Sequence, residues 1–179
     1  GELDASSGRI LYKAEVRPLH GSWLEFEVTR SDLIYARIDR RRKVLATVFL
    51  RAIGVATDQE IASVFADIDK GVDHKYIGTT LAKDLAKSRE EALLEIYRKL
   101  RPGDPVILDN AKSLFETLFL DHRRYDMGKV GRFKVNRRLG LNLPNDKATW
   151  VLTKQDVVAA LSYLINLQNG IGRIDDIDH

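Results

Sequence analysis

The spacing of apolar residues changes once along this chain, near Val44, and that change constrains the fold more than any other feature. Before it, apolar and polar residues alternate. The run Trp23–Leu24–Glu25–Phe26–Glu27–Val28 sets Phe26 and Val28 against two acids. A period of two places successive side chains on opposite faces of a strand. Ile10–Val16, Trp23–Thr29 and Leu33–Asp39 therefore read as three strands, with His20–Gly21 and Arg30–Ser31–Asp32 as turns. The expectation is an antiparallel meander with one face on a core.

From Val44 the apolar residues recur every third or fourth position. Val44, Leu45, Val48 and Leu50 suit a short helix ended by Gly54. Thr57 with Glu60, and Ser88 with Glu91, have capping-box spacing and open helices over Thr57–Ala66 and Ser88–Leu100. Arg101–Pro102–Gly103 stops the second, whose inner face carries Ala92, Leu93, Ile96 and Leu100. Further helices are predicted over Ala111–Leu120, with Leu114, Phe115, Leu118 and Phe119 inward, and over Gly128–Leu139, closed by Gly140. The last runs over Thr153–Asn169, with Val157, Leu161, Leu164 and Ile165 buried and Gly170 as its cap. Strands first and helices after make an α+β fold, a β meander followed by a helical region.

A chain of 179 residues suits one domain. A flexible segment over 1–8 ahead of a single domain over 9–179 is the expected organisation. Hydrophobic content of 44% and charged content of 31% describe a globular protein. No apolar run approaches the ~20 residues of a membrane-spanning helix, and the opening GELDASSG has no apolar signal core. With no cysteine there is no disulfide, thiolate metal site or cysteine nucleophile. A cytoplasmic location with no membrane partner is expected. The missing initiator methionine and the charged ending Asp175–Asp176–Ile177–Asp178–His179 look like those of a piece of a longer protein.

The net charge is only +3, so the distribution of charge matters more than its sum. Arg40, Arg41, Arg42 and Lys43 form the densest cluster, and Lys129, Arg132, Lys134, Arg137 and Arg138 form a second. Four consecutive cations repel one another, and a polyanion would relieve that repulsion and release its counterions. The bland alternative is a solvated charged turn. Trp23, just after a Gly-Ser turn, is either a core residue or a platform on which a base stacks. His20, His74, His122 and His179 lie far apart and lack metal-site spacing. The aspartates at the end lack a second ligand group for Mg²⁺ and read as a solvated acidic turn. Phosphate loop, nucleophile elbow and dinucleotide fingerprint are absent from the sequence. The residues alone do not describe an enzyme, and a free-standing basic nucleic-acid-binding adaptor fits them.

Five longer strings narrow the choice. HGSWLEFEV, RIDRRRKVLATVFLRAIG, EALLEIYRKLRPGDP, AKSLFETLFLDHRRYDMGKVGRFKVNRRLGL and the terminal DDIDH follow one another as in the β subunit of bacterial RNA polymerase, which this chain resembles. The matching part of that subunit is the lobe, or β2, which the family inserts in its protrusion. The resemblance implies a role within a DNA-directed RNA polymerase, a nucleotidyltransferase, without catalytic residues in this part. The lobe would wall the DNA cleft, facing downstream duplex and the displaced non-template strand. Its partners would be the rest of β, the β′ subunit and a sigma factor. No cofactor is expected here, because the family's Mg²⁺ is held by β′. Arg40, Arg41, Arg42 and Lys43, with Arg37 added, would line the DNA side. Trp23 and Asp178 correspond to residues that lie beside the non-template strand in the family. Both ends of the domain would approach each other.

Overall fold

The computed structural model describes residues 9–171 and the short strand Glu2–Leu3. That strand, β1, pairs antiparallel with β2 (Ile10–Leu11). Four further strands form one antiparallel sheet in sequence order: β3 (Lys13–Val16), β4 (Leu24–Val28), β5 (Ile34–Ile38) and β6 (Arg42–Leu45). The helices follow: α1 (Ala46–Ile53), α2 (Asp58–Val64), α3 (Tyr76–Lys83), α4 (Arg89–Leu100), α5 (Leu108–Phe115), α6 (Gly128–Leu139) and α7 (Lys154–Gln168). The α+β fold read from the change of period is the fold observed.

One face of the sheet supplies the core. Val16, Leu24, Phe26, Val28, Ile34, Ala36, Ile38 and Val44 are all buried, and they alternate with residues on the outer face. Phe26 meets Phe49 of α1 edge-on at 6.2 Å, and Phe49 meets Phe119 at 5.2 Å. Phe115 and Tyr125 extend the same ring cluster. Aromatic pairs of this geometry add roughly 0.5–1.5 kcal/mol each beyond the area they bury. The cluster fastens the sheet to α1, to α5 and to the loop ahead of α6.

Several boundaries differ from those the sequence suggests. The strand expected over Ile10–Val16 is interrupted at Tyr12, whose N–H donates to Gln168 Oε1 at 3.2 Å. Gln168 Nε2 in turn donates to the Ile10 carbonyl at 2.7 Å. One carboxamide thus replaces a backbone partner and brings the end of α7 against β2. The terminal DDIDH, expected to approach the N-terminal strand, lies outside the described residues, as does most of the segment 1–8.

Residues Arg42–Leu45 are a strand, not the start of a helix. α1 begins only at Ala46, with Leu45 as an N-cap that makes no side-chain cap bond. β6 is an edge strand whose exposed Arg42 and Lys43 discourage edge-to-edge pairing. Helix α3 has no counterpart in the sequence reading. Its N-terminus is capped from seven residues upstream, where Asp69 accepts from the N–H of Tyr76 at 2.7 Å and of Gly78 at 2.9 Å. The helix predicted over Ala111–Leu120 starts earlier, at Leu108, and ends in a π-helical turn over Glu116–Leu120.

Two fully buried arginines tie the helices together. Arg51 donates to Asp84 Oδ2 at 3.1 Å, to the Ala56 carbonyl at 2.8 Å and to Asp58. Arg132 of α6 grips Asp156 of α7 with both terminal nitrogens, at 2.6 and 2.8 Å, and also donates to the Thr149 and Val151 carbonyls. Every donor so used offsets part of the desolvation cost of a buried guanidinium.

Candidate nucleic-acid interface

The site is built around the tight turn between β5 and β6. Asp39 (φ 51°) and Arg40 (φ 59°) both occupy the left-handed region, and the Arg41 N–H closes the turn on the Ile38 carbonyl at 3.1 Å. Three residues, Asp39, Arg40 and Arg41, separate the paired Ile38 and Arg42, and the two left-handed ones make the reversal tight. Aspartate tolerates the conformation, whereas an arginine pays about 1–2 kcal/mol for it.

Trp23 is locked to this turn. Its N–H donates to Asp39 Oδ1 at 2.8 Å, and its carbonyl accepts from the Asp39 N–H at 2.9 Å. From the other side, Gly21 (φ 126°) presses against the loop before α6. A Cβ there would stand 2.9 Å from Tyr125 Cδ2 and 3.1 Å from the Arg124 carbonyl. Only glycine permits that approach, and the bridge between His20 and Asp126 holds it. The half-buried indole carries two guanidinium groups, Arg17 Cζ at 4.5 Å and Arg40 Cζ at 4.7 Å from the ring centroid. Trp23 is therefore neither a core residue nor a bare platform.

The four consecutive cations do not form one patch. Side chains of a strand alternate between faces, so Lys43 lies on the outer face beside Arg37, and Arg42 lies on the side of Ile38. On the outer face, acids and rings take up the charge. Arg37 pairs with Glu27 at 2.8 Å, Arg40 Nε with Glu25 at 3.2 Å, and Lys43 Nζ sits 4.4 Å from the Tyr35 ring centroid. The remaining two, Arg41 and Arg42, line a cleft of about 230 Å³ together with Ile38, Asp39, Leu100, Arg101, Pro102 and Leu118. Three guanidinium-bearing residues and one carboxylate around a cleft favour an anion, since each planar fork matches two phosphate oxygens.

Comparison with known proteins adds the decisive observation. The family model described as RNA polymerase Rpb2, domain 2, matches residues 4–179. The chain belongs to the Rpb2 domain 2 family. Its relatives include proteins named DNA-directed RNA polymerase subunit beta from Trichodesmium erythraeum (strain IMS101), 46% identical over 173 residues, and from Gloeobacter violaceus, 46% identical over 178 residues. A third, from Thermosynechococcus vestitus, is 44% identical over 173 residues. These alignments cover 97%, 99% and 97% of this chain but 15% of each relative, so the chain spans about 15% of the length of the curated relatives it matches.

This Rpb2 domain 2 chain thus corresponds to the lobe region of a bacterial β subunit, as the resemblance of its strings implied. Within it, Trp23, Arg40, Arg41 and Arg42 gather around the Asp39 turn, while Arg37 and Lys43 stand on the outer face. Asp178 lies outside the described residues. Arg17 and Arg101 join the site without having been singled out. Arg17 is separated from Trp23 by the turn that folds it back, and Arg101 served the sequence reading only as a helix stop. Among the described residues, no group of three histidine, cysteine or acidic side chains is arranged to hold a metal, and no helix is long and apolar enough to cross a membrane.

Proposed function

We propose that this chain forms one wall of the DNA cleft of an RNA polymerase and holds DNA by its phosphates, without reading sequence at the turn itself. The observation that carries the reading is the cleft in which Arg41, Arg42 and Arg101 converge against the single carboxylate of Asp39. Phosphate contacts of this kind fix the position and register of a duplex. Arg37, Arg40 and Lys43 have a different task in this reading. Engaged with Glu27, Glu25 and Tyr35, they keep the hairpin stiff and contribute only a diffuse positive field. The remaining β subunit, β′ and a sigma factor complete the channel, and the catalytic Mg²⁺ belongs to β′, leaving this region without a catalytic residue.

The displaced non-template strand would run past Trp23. A base that stacks there replaces one of the two guanidinium groups on the ring, exchanging a cation–π contact for a stacking energy of roughly 1–3 kcal/mol. The displaced arginine stays at hand for the adjacent phosphate. Asp178 would read a guanine, whose N1–H and N2–H are adjacent donors that match the two oxygens of one carboxylate.

The test uses polymerase assembled with the complete β subunit. Arg41→Ala with Arg42→Ala should shorten the lifetime of the open promoter complex. It should also flatten the salt dependence of that lifetime, by about 0.9 in log–log slope for each phosphate contact removed. An unchanged slope takes the two arginines out of the DNA path. Asp178→Ala should abolish any preference for guanine at the downstream non-template position, read with promoters that differ only there.

A further inference from the structure

Helix α6 departs from the usual pattern at three positions. Its charged residue Arg132 is fully buried, while its large apolar residues Val130 and Phe133 are 64% and 56% exposed. The second basic cluster of the sequence lies on this helix, and none of its exposed members belongs to the cleft at the β5–β6 turn.

Helical geometry sorts the residues. At 100° per residue, Lys129, Phe133, Arg137, Val130, Lys134 and Arg138 fall in one half of the helix surface, and all six are exposed. Arg132, Val135 and Leu139 occupy the other half and are buried or half-buried. Val130 and Phe133 are neighbours at i and i+3, with Lys134 and Arg137 one turn further on and Lys129 one turn before Phe133. The helix carries no acid. The flanking acids are turned to backbone work: Asp126 accepts from the Gly128 N–H at 2.7 Å, and Asp146 from the Ala148 N–H at 3.0 Å.

The face is also held rigid from behind. Arg132 is bonded to Asp156, Thr149 and Val151, and Asn136 Nδ2 donates to the Leu143 carbonyl at 2.9 Å. A surface that does not reorganise loses little entropy when it is covered. An apolar centre ringed by charge is the anatomy of a protein docking site. Phosphates would satisfy the cations but gain nothing from Val130, and a base stacks on an aromatic ring but not on a branched aliphatic. We propose that the outer face of α6 docks an acidic protein segment that carries large apolar side chains three or four residues apart, seated on Val130 and Phe133 with its carboxylates on Lys129, Lys134 and Arg137.

The experiment uses polymerase assembled with the complete β subunit, and a synthetic acidic peptide of glutamate and alanine with leucines at helical spacing and a benzophenone beside them. Irradiation and peptide mapping should place the cross-link on α6. Phe133→Ser should reduce that labelling about tenfold, the effect of losing one buried anchor. Val130→Ser provides the same reading should the first variant fail to assemble, and a peptide with its leucines changed to serine should label α6 equally poorly. The proposal is overturned if the serine peptide labels α6 as well as the leucine peptide, or if both variants label like the parent. It is equally overturned if a single-stranded oligodeoxynucleotide bearing the same photophore labels α6 more strongly than the peptide.

Discussion

Arg40–Lys43 sits on a hairpin and Lys129–Arg138 on a helix, and the two basic stretches handle their charge in opposite ways. The hairpin disperses its charge. A period of two sends neighbours to different faces, and Glu25, Glu27 and Tyr35 meet three of the five nearby cations on the outer face. The helix gathers its charge. A period of 3.6 turns scattered positions into a single stripe, from which Arg132 alone is withdrawn into the interior. Density along a sequence is thus a poor guide to density on a surface until the local period is known.

The difference is most easily broken at Arg132. Arg132→Ala leaves Asp156 buried without its partner and should cost about 3–5 kcal/mol in thermal or urea unfolding. Arg137→Ala, five positions along the same helix, should stay within about 0.5 kcal/mol. Similar losses from the two would mean that α6 has no inner and outer side. Next comes Gly21→Ala, which must hold a Cβ against Tyr125 at a φ that L residues avoid. A loss of about 1–3 kcal/mol is expected, with a shift in Trp23 emission because the turn that seats the indole is displaced.

Arg40→Gly sharpens the comparison from the hairpin side. Relief of the left-handed backbone, worth about 1–2 kcal/mol, competes with loss of a partly exposed ion pair worth about 0–1 kcal/mol. The variant should melt slightly higher than the parent while its Trp23 emission changes. A clear drop in melting temperature would show that Glu25 and Trp23 hold Arg40 more strongly than its backbone resists.

The smallest effects are in pH dependence. A hydrogen bond from Arg51 holds the Asp58 carboxyl below the usual carboxylate range. A lowered value in the folded state means stability present above the unfolded value and lost as pH falls through the folded one. Asp58→Asn should therefore flatten the acid side of the melting curve. Glu95 has the opposite sign. Burial raises its pKa, so its contribution improves as pH falls, and Glu95→Gln should raise the melting temperature marginally at neutral pH.

What the sequence disclosed follows the same logic of periods. The meander and most helices were legible because each repeats its pattern over several residues and announces its start locally, as Thr57, Ser88 and Thr153 do. β6 was not legible: four residues with one buried side chain, Val44, hold too few repeats to show a period. α3 was hidden because its cap is Asp69, well before the helix. The buried Arg132 did leave a signal, since it precedes Val135 and Leu139 by three and seven residues on one helix face. The division of Arg40–Lys43 between two faces required the strand register, and the sharing of one cleft by Arg101 with Arg41 and Arg42 joins distant segments that no local pattern links.

The carboxamide of Gln168, which holds the Ile10 carbonyl and the Tyr12 N–H together, also sets how the molecule answers a mechanical load. A pull applied between residue 10 and residue 168 would load these two bonds together with the packing of α7 on β3 and β4. The seam between β2 and α7 is thus a clasp set apart from the ring cluster and the arginine pins, made by one side chain and opened by a single substitution at Gln168.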